Sequence, residues 1–117
     1  MSGAHQHIDR HRLASQIGDN PDLLARLAAA FLRQLPAWLA DFELHSEAGD
    51  KDRLAKLLHK MKGSCHAVSA TAVALEFEKA EHTLAASSSW NGDLLLQLLE
   101  EMKEEFTLIL ASQTPRA

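Results

Sequence analysis

The sequence predicts an all-α protein, an up-down-up-down four-helix bundle with a short extra N-terminal helix. Strand signals are nearly absent: there is no Tyr, and no run alternates with period 2. Apolar residues recur instead with the 3.6-residue period of a helix. Start and stop residues cut the chain into one short and four long segments joined by short breaks, the pattern of antiparallel neighbours in a bundle.

The first helix is weak, covering about residues 8–17 and stopping at Gly18. "DNPDLL" starts the second, with Asn20 as N-cap and Pro21 at the first helical position, where its missing N–H matters least. Leu23, Leu27, Phe31, Leu35, Trp38 and Phe42 make its apolar face, which should run to about residue 47. Pro36 should kink it, because the proline ring clashes with the carbonyl of Leu32. Asp50 caps a third helix over about 51–67. Ser69 is expected to cap a fourth over about 70–87, with Val73, Phe77, Ala80 and Leu84 on one face. "SSSWNGD" reads as a turn, after which Asn91 or Asp93 starts a fifth helix to about residue 112. That helix should bury Leu95, Leu98, Leu99, Met102, Phe106 and Ile109.

At 117 residues the chain is expected to be one domain over 1–117, with about 1–7 flexible. Apolar residues make up 46% and charged residues 24%, a soluble globular composition. The single cysteine, Cys65, cannot form an intramolecular disulfide, which suits a reducing cytoplasm. No run approaches the length of a membrane span, and "MSGAHQHIDRHR" lacks the apolar core of a signal peptide. A net charge of −4 without a basic stripe argues against nucleic acid. His5, His7 and His11 fall in this polar stretch and read as solvated.

"HKMKGSC", residues 59–65, breaks the pattern of a core helix. Glycine inside a helix costs about 1 kcal/mol relative to alanine. At 100° per residue, Leu57, Leu58, Met61, Cys65 and Val68 fall within about 60° of Leu54 and form the core stripe. Lys62 falls near the border at about 80°, His66 at about 120°, His59 at about 140° and Gly63 at about 180°. Gly63 therefore packs against nothing and clears space one turn from an exposed imidazole. A neutral imidazole is a nucleophile near pH 7, and a lysine one turn away offers positive charge to a transferred phosphoryl group.

"HKMKGSCHAVSA" resembles the signature of histidine-containing phosphotransfer (HPt) domains, approximately H-x-L-K-G-S-[SA]-x-x-[LI]-G-A. His59, Lys62, Gly63, Ser64 and Ala70 match outright, and Met61, Cys65 and Val68 are conservative replacements. "TAVALEFEKAE" continues the likeness with Val73, Phe77 and Glu81, and "NPDLLARLAAAFLRQLP" is similar to the family's second helix. The resemblance covers roughly residues 8–86. Ser69 departs from it, standing where the family has glycine.

The resemblance implies a phosphocarrier without a nucleotide site of its own. A receiver domain's phospho-aspartate gives its phosphoryl group to His59, which passes it to another receiver domain. Lys62 then balances phosphoryl charge and Gly63 gives the partner clearance. Glu81, about 80° from Val73 at the border of the fourth helix's core stripe, is placed to accept the Nδ1–H bond of the imidazole; the alternative is a solvated boundary glutamate. Lys60, Ser64 and His66 lie on the docking face. Mg²⁺ belongs to the receiver, so no metal or other cofactor is expected on this chain. Expected partners are receiver domains and a hybrid sensor histidine kinase, met by a cytoplasmic monomer. The alternative is a docking module that inhibits a kinase or regulator without transferring phosphate. A metal- or haem-binding bundle using His59, Cys65, His66 and His82 fits poorly, because Cys65 faces the core and His82 points away from it.

Overall fold

The computed structural model describes residues 7–18, 20–86 and 90–113. Helices α1 (Arg10–Ile17), α2 (Pro21–Ala48), α3 (Lys51–Ala67), α4 (Thr71–Ala86) and α5 (Asp93–Gln113) follow in order, with no strand among the described residues. Each start has a local cause. Asp9, Asn20 and Asp50 accept the backbone N–H three residues on, at 2.9, 3.1 and 3.2 Å, so each caps the helix that follows it. Gly49 ends α2 at φ 66°, a left-handed conformation cheap only without a Cβ, and its N–H reaches the carbonyls of His45 and Ser46. Asn91 accepts the Asp93 N–H at 2.8 Å and turns the chain into α5.

The α2 helix packs on α3 and α5, and α3 on α4. Phe31 of α2 meets Phe106 of α5 with ring centroids 4.8 Å apart and meets Trp38 edge-on at 5.3 Å. Leu58, Met61, Cys65, Phe77, Leu99, Met102 and Phe106 are fully buried, and each large apolar side chain so placed contributes about 1.5–3 kcal/mol. The α3 stripe is as the periodicity predicts: Leu54, Leu57, Leu58, Met61, Cys65 and Val68 are all buried.

Other expectations need correction. Leu23 and Leu27 are only half-buried, while Leu24 and Ala28 are inside. Steps of four residues drift by about 40° each on a helix, so a row of them leaves the core face. Leu98 and Ala80 are likewise half-buried, and Ala74 is fully buried in α4. Pro36 lies inside α2, as the sequence places it, on the exposed side of the helix. The first helix starts at Arg10, not residue 8, because Ile8 enters the core and Asp9 is the cap. Of the "SSSWNGD" turn, 87–89 lie outside the described residues.

Ser69 is not the cap of α4. It is buried at φ 58°, and its hydroxyl donates to Gln16 Oε1 at 2.9 Å. Its carbonyl accepts the Asp9 N–H at 3.0 Å, tying the start of α1 to the α3–α4 turn. His7 is not a solvated residue either. Its N–H donates to Glu105 at 2.8 Å and its Nε2 lies 2.7 Å from Glu101, so α5 holds the segment entering α1. The Ile8 N–H reaches the other Glu105 oxygen at 3.2 Å. His11 is exposed, and His5 lies outside the described residues.

Candidate functional site

Two helices build the site. Burial of Met61 and Cys65 on α3 and of Phe77 and Ala74 on α4 locks the hairpin and turns His59 outward. The His59 side chain is 71% exposed, and its Nδ1 lies 3.3 Å from Glu81 Oε2 on α4. An ionised carboxylate only accepts, so Nδ1 makes this bond as the N–H and leaves Nε2 with its lone pair. A Cβ built on Gly63 meets nothing within 4 Å, so the surface one turn beyond His59 is open.

Lys62 is less available than its place on the wheel suggests. Its side chain is only 17% exposed, and Nζ lies 2.9 Å from Glu81 Oε1 and 3.8 Å from Glu78. The short contact with Glu81 raises the Lys62 pKa above its ordinary value; partial burial opposes this, and the charges of Glu81 and Glu78 add to it. Glu81 thus bridges both groups, one oxygen to the imidazole and the other to the ammonium. In this state Lys62 neutralises Glu81.

Sequence reasoning missed Glu78. Its place one turn before Glu81, on the α4 side that borders α3, is the signal that could have found it. Lys60 and His66 are exposed and Ser64 is half-buried on α3. Cys65 is fully buried, and burial pushes its thiol up to about 12, so it is no ligand or nucleophile. His82 is exposed on α4. Among the described residues no three His, Cys, Asp or Glu side chains converge as a metal site.

The site is thus an exposed imidazole held by a carboxylate, beside open space on a helical hairpin. Residues 13–112 match the family model of the Hpt domain, and the chain belongs to that family. Hpt domains are histidine phosphotransfer modules of two-component phosphorelays, phosphocarriers that work with receiver domains and kinases. Neither the comparison with curated proteins nor that with solved structures gives a match. Among the described residues no helix is long and apolar enough to cross a membrane.

Proposed function

We propose that His59 is the phosphorylated residue and that the chain relays phosphoryl groups between receiver domains. Nε2 attacks the phosphorus of a receiver aspartyl phosphate. The P–N bond forms as the P–O bond to the aspartate breaks, and the electron pair leaves with the carboxylate. A second receiver's aspartate reverses the step. Nδ1 keeps its proton throughout, donated to Glu81, which holds the tautomer that attacks through Nε2. Gly63 lets the receiver's surface approach, and Lys60, Ser64 and His66 meet it. Lys62 acts first through Glu81 and is close enough to turn toward the added phosphoryl charge.

The observation that carries this reading is His59: exposed, with Nδ1 occupied by Glu81 at 3.3 Å and open space over Gly63. Short connections and the pairing of α2 with α3 and α5, and of α3 with α4, support the up-down-up-down bundle. We read the chain as a cytoplasmic monomer, served by a hybrid sensor kinase and carrying no metal of its own.

The test is incubation of the wild type and His59→Gln with a phosphorylated receiver domain. The wild type should gain acid-labile, base-stable label, and the variant none, with its helical circular dichroism unchanged. Label that persists in the variant would move the site to His66 or His82 and overturn the assignment.

A further inference from the structure

A cleft of about 840 Å³ opens at the end of the α3–α4 hairpin opposite its turn, and His59 takes no part in it. Its floor is apolar, made by Leu39, Phe42, Leu54, Leu84, Trp90 and Leu96. Its rim carries four exposed carboxylates, Glu43, Glu47, Asp93 and Glu100, against the ammonium of Lys51 and the imidazole of His45.

We propose that this cleft binds an amphiphilic organic cation, a compact apolar or aromatic body bearing an ammonium or guanidinium group. Small-molecule sites are mostly apolar clefts of roughly 300–1,000 Å³ with a few polar groups that fix orientation, and this cleft has that size and lining. The walls come from α2, α3, α4, α5 and residues 90–92, which lead into α5. The aromatic part of the floor has a defined shape. Phe42 and Trp90 lie with ring centroids 5.5 Å apart and close over Gly92. A Cβ there would lie 2.7 Å from Trp90 Cη2 and collide with Phe42, so only glycine allows this placement. The aromatic faces suit an apolar body and attract a cation. The carboxylate excess sets the sign of the ligand: an anion meets like charge, and a neutral ligand leaves the rim unused.

The test is a charge series on the full-length chain: 4-phenylbutylamine, 4-phenylbutanol and 4-phenylbutyrate, followed by amide and indole NMR shifts. The amine should give saturable shifts at the Trp90 indole, Gly92 and Leu96. It should bind about fivefold more tightly than the alcohol, the size expected for exposed charge pairs, and the butyrate should bind least. In the doubly substituted Glu47→Gln, Glu100→Gln chain the amine should fall toward the affinity of the alcohol, while label uptake at His59 is unchanged. Equal affinity of amine and alcohol would overturn the proposal, as would shifts that map elsewhere or never saturate. A basic amphipathic peptide that displaces the amine at lower concentration would give the cleft to a protein partner and equally overturn it.

Discussion

Replacing Gly63 should make the protein more stable and a poorer carrier at once. Gly63 lies in the interior of α3, is exposed, and has nothing within 4 Å of where a Cβ would stand. No steric penalty therefore offsets the gain in helix propensity, and Gly63→Ala should stabilise by about 0.5–1 kcal/mol. For a domain near 100 residues that raises the melting temperature by about 2–6 °C. The added methyl group sits one turn from His59, on the surface a receiver must approach. Gly63→Ala should slow transfer modestly. Gly63→Gln should slow it about tenfold or more, because displacing reacting atoms by 1 Å already costs up to about 100-fold. Calorimetry gives the first number and single-turnover transfer from a phosphorylated receiver the second. A lower melting temperature in Gly63→Ala would reveal a contact at this position. Wild-type transfer by Gly63→Gln would refute the clearance role.

Other perturbations have equally definite signs. Ser69→Gly relieves a left-handed backbone worth about 1–2 kcal/mol but loses the bond to Gln16 and gains unfolded-state freedom, so stability should stay within about 1 kcal/mol of wild type. Ser69→Ala keeps the strain and loses the bond, and urea denaturation should place it about 1 kcal/mol below wild type; an alanine variant as stable as wild type contradicts this account. Alkaline pH should destabilise the fold. The Cys65 thiol is held at about 12 in the native state and ionises from 9.0 in the unfolded chain, so the unfolded state binds fewer protons between these values and stability falls with pH. Lys62 adds to this with its raised pKa: its contribution is complete below 10.5 and fades as pH rises through the native value. The Cys65 part alone is on the order of 2 kcal/mol at about pH 10.5, and a urea midpoint that stays flat to that pH would contradict it. Lys62→Ala and Glu81→Gln should be non-additive in transfer rate, because both act through one carboxylate; additive losses in the double variant would show two independent roles.

The α3 face was legible because Leu54 to Val68 keep helical period without a gap, and a wheel then turns His59 and Gly63 outward. The start of α2 was not. There the core is taken by Leu24 and Ala28, and small residues in an alanine-rich run carry too little contrast to mark a face. Ser69 was misread because its type suits a cap, whereas its backbone sign is set by the turn that carries α3 into α4. His7 was misread because its partners, Glu101 and Glu105, are more than ninety residues away and share no local signal. At the site, the wheel gave Lys62 an angle but not a rotamer, so its capture by Glu81 and Glu78 could not be read in advance.

This capture changes how the site must be understood. A neutral imidazole attacks through the Nε2 lone pair, and the Glu81 oxygen at Nδ1 leaves that lone pair free. Lys62 places a positive charge beside the far oxygen of that carboxylate and leaves the near oxygen as acceptor for Nδ1. On the proposed relay, phosphorylation of Nε2 would put negative charge beside the carboxylate, with the ammonium already at the site to meet it. On that proposal the glutamate and the lysine act as one device with two settings, held in place by the buried face that Met61, Cys65, Ala74 and Phe77 give the hairpin.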